Sequence, residues 1–493
     1  MAKSLRNFYA RRGLTGHGLG HYAANLQATA LRLKAQGLAP CEIKRALVAE
    51  QAPLLLFQGR YIPKNESELP FLTMNNWESV FSRLTLSPSK AAFAKRLQTE
   101  GKTLLHSGEV GFQEHYGGQG ERLKIRKAKY LATPDDLRTA YHAFLERSGI
   151  DRKSIPALPP LADWTIGERN FLGKAFELYA DCKAAGKSES ETKTIFSRIK
   201  FKMVLSQNAG AEIVENLVKN NFFGFAPGNF IFMYQPQHPT FGVTETGELE
   251  PDLKYPTQGN HGLTTFHSLL PNQWFRVVPG EAPGSYREER LTTEDYKLFQ
   301  RDLKIILFES VEDLSQYEHP IDYGFIGKIA RQGESDGTSF YQQIMKQKEE
   351  YPQPGGVFAH LFDKRTHLNR NAIVESNRTS LRPEEIVLIN RGWGGVWQPN
   401  TFDSLVVDSP MLDDLHPTFK PKGEEPVVRI ESEIPFGDPN LYLPTVYYVL
   451  NRTLANLKVP GDIPAARQAM RQMETRPGLY DFARSFLGLE RNR

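Results

Sequence analysis

Cysteine is almost missing from this sequence: Cys41 and Cys182 are the two thiols in 493 residues. Two thiols can build neither a disulfide framework nor a cysteine-based zinc site within the chain, and a reducing cytoplasm is the expected compartment. No apolar run approaches the roughly 18 residues of a membrane span. The opening segment Met-Ala-Lys-Ser-Leu-Arg-Asn lacks the apolar core of a secretory signal, so no membrane partner is expected; export by a route that reads no such signal stays open. An excess of either charge is also missing: 61 Lys+Arg stand against 57 Asp+Glu, a formal net charge of +4, with no basic block. That balance argues against nucleic acid as the main partner and leaves room for a local basic pocket for phosphates. Internal repeats and low-complexity tracts are absent too. What is present is a globular composition, 40% hydrophobic, 24% charged and 11% aromatic, in a chain long enough for two or three domains, one of them large.

Residues 1–104 read as a helical N-terminal domain. Apolar residues recur at helical spacing over 22–35, stopping at Gly37, and again over 41–52; Ser87-Pro88 is a good N-cap and N1 pair for a helix ending at Gly101. Gly16 to His21 carries two histidines without carboxylates, a poor ligand set, and reads as a flexible entry to the first helix. From about 105 to 330 short apolar runs alternate with amphipathic helices, the pattern of an α/β layer with a mainly parallel sheet, and 331–440 hold more strands, which takes the α/β domain to 105–440. Strands are expected over 110–116, 201–206, 229–234 and 304–310. Helices are expected from Pro134 behind Thr133, from the capping box Thr165-Ile166-Gly167-Glu168 to Gly186, and over 211–220. Trp393 and Trp397 read as core rather than as a sugar-stacking face. Residues 441–493 read as a small helical C-terminal region, with helices over 463–474 and 478–487.

The stretch richest in chemistry is Gly117-Gly118-Gln119-Gly120-Glu121-Arg122-Leu123, with Lys127 and Lys129 behind it. It leaves the first strand of the α/β layer. A glycine turn at that place lets backbone N–H groups approach a polyphosphate, and Arg122 and a lysine would add charge; the same glycines could equally serve a tight bend. Ser206 to Gly210 stands where a strand meets a helix N-terminus, a position at which open α/β sheets bind ligands. Glu312-Asp313 follows the strand over 304–310 and reads either as a pair of Mg²⁺ oxygen ligands or as an exposed acidic turn.

Taken in order, several of these stretches resemble the UDP-sugar pyrophosphorylases, the UTP-dependent sugar-1-phosphate uridylyltransferases. Residues 117–123, Gly-Gly-x-Gly-Glu-Arg-Leu, look like that family's nucleotide-binding loop. Residues 204–208 resemble its strand-end segment, and residues 221–225 its helix-to-strand connection. Gln235 sits where the family places a glutamine that reads uracil, and Pro256-Thr257 with His261-Gly262 is similar to its Pro-x-Gly-His-Gly turn. Residues 311–314 match its Ile-Asp-Asn-Leu segment more thinly; residues 419–422 and 430–431 match its Val-Asn-Pro-Lys and Leu-Glu-Thr segments. The likeness spans about 105–435. It departs at Lys124, where the family has glycine, at Glu312, in the longer spacing from Pro256 to His261, and in the turn over 432–437.

The resemblance implies a Rossmann-like, GT-A-like nucleotidyltransferase with a mixed sheet, using Mg²⁺ to join UTP and a sugar 1-phosphate into a UDP-sugar and pyrophosphate. It assigns Gly117, Gly118, Gly120 and Glu121 to the nucleotide, with Ser206, Gln235, His261 and Gly262. It assigns Arg122 and Lys129, or Lys127, to the β/γ charge, Lys422 to the α-phosphate or sugar phosphate, and Glu312 or Asp313 to the metal. Two alternatives share the fold: a catalytically degenerate nucleotide-binding protein whose helical N-terminal domain engages a protein partner, and a glycosyltransferase that uses the UDP-sugar. A Rossmann oxidoreductase is disfavoured, because Leu123 stands where its third glycine belongs.

Overall fold

Runs such as Phe-Ile-Phe-Met-Tyr and Ile-Ile-Leu-Phe-Glu-Ser are too continuously apolar for a strand with one wet face, and they form the covered centre of a sheet. The computed structural model describes residues 18–43, 46, 57–61, 73–75, 88–117, 123–125, 127–150, 160–258, 264, 267–281, 285–311, 314, 320–346, 356–363, 367–375, 386, 388–408, 416–422, 427–433, 438–450, 457 and 460–489. In chain order they form α1 (Gly18–Ala35), β1 (Phe57–Tyr61), β2 (Thr73–Asn75), α2 (Pro88–Ser107), β3 (Val110–Tyr116), α3 (Pro134–Arg147), α4 (Ile166–Ala184) and α5 (Glu189–Phe196). Next come β4 (Lys200–Leu205), α6 (Gly210–Lys219), β5 (Phe230–Tyr234), β6 (Gln237–Val243), β7 (Leu249–Gln258), β8 (Phe275–Pro279), β9 (Tyr286–Arg290), α7 (Thr293–Gln300), β10 (Ile305–Ser310) and α8 (Tyr323–Asp336). The remainder are β11 (Phe340–Lys346), β12 (Gly356–Asp363), β13 (Leu368–Glu375), β14 (Leu388–Trp397), α9 (Pro399–Asp408), β15 (His416–Lys422), β16 (Val427–Glu433), β17 (Thr445–Leu450), α10 (Ile463–Glu474) and α11 (Leu479–Ser485).

The main sheet runs β2-β17-β11-β14-β10-β3-β4-β5-β8-β9, with β12 joining at β14 and carrying β1 and β13. Its centre, β10-β3-β4-β5, is parallel, while β14 and β8 flank that centre antiparallel, so the sheet is mixed. Register at the centre is pinned by rings. Phe112, Phe201 and Phe230 are opposite one another on β3, β4 and β5, with centroids 5.4 and 4.6 Å apart, and Phe171 of α4 packs across the last two. A second sheet, β15-β16-β6-β7, leaves the chain directly after β5. Among the described residues no helix is long and apolar enough to cross a membrane.

Strand β3 has the expected bounds, and the boxes at Thr133 and Thr165 cap α3 and α4 as the sequence indicates. Three expectations need correction. Helix α2 does not stop at Gly101 but runs on to Ser107, because that glycine serves a helix crossing: a Cβ there would lie 1.9 Å from the Tyr323 carbonyl oxygen of α8. The first 104 residues are not wholly helical, since β1 pairs with β12 and β2 with β17 in the main sheet. Nor is the C-terminal region, where the β-branched and aromatic run of β17 pairs in parallel with β11. Helix α1 begins at Gly18, within the expected entry segment, and Gly16 and His17 lie outside the described residues. Trp397 is buried against Gly333 of α8, as a core residue should be; of the Trp393 side chain nothing is described.

Candidate active site

The parallel register decides which residues meet. Tyr116 pairs with Leu205, and Leu205 with Tyr234, so Gly117, Ser206 and Gln235 are the next residue on each of three adjacent strands, in one row at the C-terminal edge. This edge is where parallel sheets bind ligands, since the chain turns there from strand to helix and leaves backbone N–H groups pointing outward. The row is in contact across the sheet: a Cβ on Gly117 would stand 2.1 Å from Oε1 of Gln235. Only glycine at 117 lets the carboxamide lie where it does. Gly118, Gly120, Glu121 and Arg122 are outside the described residues, and the chain re-enters at Leu123, which is fully buried.

Gln235 is buried and tied down on three sides. Its N–H donates to the Leu205 carbonyl at 2.7 Å, its carbonyl accepts from Nε2 of Gln207 at 2.9 Å, and its Nε2 donates to Oγ1 of Thr264 at 3.2 Å. The Ser206 hydroxyl accepts from the N–H groups of Asn208 (3.1 Å) and Ala209 (3.3 Å), which shapes the turn into α6. Gly210 then starts that helix against the Tyr234 ring, where a Cβ would come within 2.4 Å. A ten-residue helix thus begins behind the row, with its N-terminal N–H groups toward the edge.

The cations are placed less uniformly. Lys127 pairs with Asp136 at 2.8 Å, in the capping box of α3, and Lys129 is buried in a single turn of 3₁₀-helix. Lys422 ends β15 opposite Val427; of its side chain nothing is described. Lys124, at the position where the resembled family has glycine, holds a φ of 56°, so the backbone keeps the left-handed bend that glycine favours. Strand β10 reaches the same edge, with Ser310 beside His115; His261, Gly262, Glu312 and Asp313 lie outside the described residues. Among the described residues no three His, Cys, Asp or Glu side chains converge as a metal site.

Beneath the row lie polar groups that the sequence reading missed. On the α4 side Glu114 of β3 and Glu309 of β10, opposite each other in register, both contact Nζ of Lys174, at 2.9 and 2.6 Å, and all three are buried. Burial, with Glu114 alongside, pushes the Glu309 carboxyl well above its usual range despite the lysine. On the opposite face Nε2 of Gln113 donates to Oγ of Ser268 at 3.3 Å, and the Ser268 carbonyl accepts from Nε1 of Trp274 (2.9 Å) and from the Tyr296 hydroxyl (3.1 Å). Lys202 donates to that hydroxyl and lies 4.9 Å from the Trp274 ring centroid; burial lowers its pKa to about 8. A charged residue interrupting an otherwise apolar buried strand was the available signal.

No family model and no curated protein matches the chain. Solved structures do. The UDP-N-acetylglucosamine pyrophosphorylase of Trypanosoma brucei, in complex with an inhibitor, is 15% identical, with 92% of this chain and 76% of that one covered and a TM-score of 0.57. A protein of Entamoeba histolytica described as a UDP-N-acetylglucosamine pyrophosphorylase is 15% identical, over 82% and 83%, with a TM-score of 0.49. A variant UDP-glucose pyrophosphorylase of Leishmania major is 12% identical, over 90% and 78%, with a TM-score of 0.48. The first of these, matched over most of both chains, establishes the architecture: the chain has the fold of the UDP-sugar pyrophosphorylases, carried by a sequence far from those of its structural neighbours.

Proposed function

We propose that the protein is a nucleotidyltransferase that joins UTP and a sugar 1-phosphate, releasing pyrophosphate and a UDP-sugar. The observation that carries this reading is the row of Gly117, Ser206 and Gln235 at the C-terminal edge of three parallel strands, with Gly117 and Gln235 in contact. Gly117, Gly118 and Gly120 would cradle the triphosphate through backbone N–H groups, and Gln235 would meet the base. A sugar-phosphate oxygen attacks the α-phosphorus in line; the new P–O bond forms as the bond to the β-phosphate oxygen breaks and pyrophosphate leaves. No covalent enzyme intermediate is needed, so the protein's share is positioning and neutralisation of charge, chiefly by Arg122 with Lys422. Lys129 and Lys127 are weaker candidates, one buried and the other engaged with Asp136.

Glu312 or Asp313 would hold magnesium in this chemistry, since hard oxygen donors shared with phosphate oxygens are what the ion takes. The ion would supply charge neutralisation. The paired carboxyls at Glu114 and Glu309 are not that site, because Lys174 already occupies the space between them.

A thermal-shift panel of UTP, UDP-glucose and NAD tests the binding half of the proposal. UTP and UDP-glucose should stabilise the protein and NAD should not; a ligand at about 100 times its Kd contributes ~2.7 kcal/mol. Stabilisation by NAD alone would point to a dinucleotide site.

A further inference from the structure

The glycine turn belongs to a longer loop, residues 117–129, whose two ends are closed by a pair of tyrosines. Tyr116 is the last residue of β3, and Tyr130 lies in the 3₁₀ turn Lys129–Leu131. Their ring centroids are 4.9 Å apart and their planes stand at 75°, the near-perpendicular packing that aromatic rings favour. Both side chains are fully buried. A segment whose ends meet in this way is a compact loop of the Ω type. Gly117 and Lys129, the residues just inside the two rings, are thereby brought to the same end of it.

Tyr130 is fixed from two further directions. A Cβ on Gly167, in the first turn of α4, would lie 2.0 Å from Cδ2 of the tyrosine, so glycine at 167 is what lets the ring lie against that helix. The Tyr130 hydroxyl donates to Oδ1 of Asn216 at 3.1 Å, and Nδ2 of Asn216 donates in turn to Oε1 of Glu168 at 2.9 Å. Asn216 belongs to α6, the helix that begins behind the strand-edge row. One ring thus joins the end of β3, the start of α4 and the side of α6.

We infer that Tyr130 is a positioning residue for the phosphate groups of the nucleotide: its ring closes the loop, holding the glycine end and the lysine end together in the arrangement that receives a triphosphate. The inference rests on the uridine-nucleotide reading of the site. A loop ordered before its ligand arrives gives up little conformational freedom on binding, so the groups it contacts are held more tightly. The β- and γ-phosphates gain from that order. The base, which Gln235 would meet beyond β5, depends on it less.

The test measures dissociation constants for UTP and UMP by calorimetry, with the full chain and its variants and no sugar phosphate present. The wild type should bind UTP at least about tenfold more tightly than UMP, the worth of one hydrogen bond to a charged group. Tyr130→Leu, which removes the ring, should reduce that preference by roughly tenfold while UMP binding changes little, within the loss that a misplaced binding group causes. Tyr130→Phe keeps the ring and should keep the preference. Gly167→Ala, whose methyl meets the ring, should lower it by a separate route should the leucine variant fail to fold. Phe482→Leu is the control: it removes a buried ring from α11, packed on Phe176 and Tyr179, and should cost stability without moving the preference. A Tyr130→Leu protein with the wild-type preference, or a Phe482→Leu protein that loses it equally, overturns the role of Tyr130 and leaves the uridine site standing. A wild type that binds no nucleotide overturns the site and the inference together.

Discussion

Replacing Lys174 by methionine is expected to destabilise the protein by about 3–5 kcal/mol, the usual cost of removing one partner from a buried ionic group. Methionine fills nearly the same volume, so packing contributes little of that loss. What remains is two carboxyl groups facing each other across β3 and β10 with no cation between them. Glu114 lies three residues before Gly117 on β3 and Glu309 directly before Ser310, the last residue of β10, so the site edge should loosen with the pair.

The pH dependence follows from the same three side chains. Burial, outweighing the nearby lysine, holds the Glu309 proton well above the 4.5 of a free glutamate. A raised carboxyl contributes stability that is full below 4.5 and is lost as pH climbs from there through the folded pKa. Lys174 is also raised above its ordinary 10.5: burial alone would lower it, and Glu114 and Glu309 outweigh burial. Its contribution is full below 10.5 and is lost only at higher pH. Glu309→Gln mimics the protonated acid, so it should flatten the decline that starts above 4.5 and cost little at neutral pH. Urea titrations of both variants across that range check the account; a Lys174→Met protein within 1 kcal/mol of wild type, on the order of a surface substitution, would contradict it.

The second large effect is expected where α2 crosses α8. Leu97 and Gly101 on one helix meet Gly327 and Tyr323 on the other in antiparallel order. A Cβ at Gly101 would lie 1.9 Å from the Tyr323 carbonyl, and one at Gly327 would lie 2.1 Å from the Leu97 carbonyl. Alanine is the better helix former by about 1 kcal/mol, which favours either substitution. Overpacking against backbone cannot be relieved by a rotamer change and costs typically ~1–3 kcal/mol, occasionally more, so sterics should win. Gly101→Ala and Gly327→Ala should each lower the melting temperature, and the double variant should lose less than their sum, because the first methyl already separates the helices. Gly173 of α4 is the control: its Cβ would have nothing nearer than 3.7 Å, so Gly173→Ala should be neutral or stabilising.

Those glycines also show where sequence reading stops. Gly101 looked like a helix terminus because a glycine near the end of a periodic segment commonly is one. Its reason for being glycine lies more than 200 positions away, on α8. Strands β5 and β10 were legible as continuous apolar runs, β4 as an apolar run broken by Lys200 and Lys202, β3 as a short run ending at the glycine turn although Gln113, Glu114 and His115 lie within it, and α3 and α4 because their caps are local. Strands β1 and β2, five and three residues long, carry no pattern of their own and are defined by β12 and β17. At the site, Gly117, Ser206 and Gln235 were each readable at a strand end, and the register that aligns them comes from the Phe112–Phe201–Phe230 ladder. Tyr130 was not readable. Its part depends on a ring contact with Tyr116 across the loop that separates them.

Binding of UTP at the strand-edge row for transfer of its uridylyl group is tested most directly by measuring pyrophosphate released when the purified full chain is given UTP, Mg²⁺ and a panel of sugar 1-phosphates. Release that requires both substrates, and that falls by ~10² or more in kcat/KM when Arg122 is replaced by alanine, is the expected result, comparable to losing one preorganised charge-stabilising donor. Absence of release with every sugar phosphate, or wild-type turnover in the Arg122→Ala protein, would contradict it.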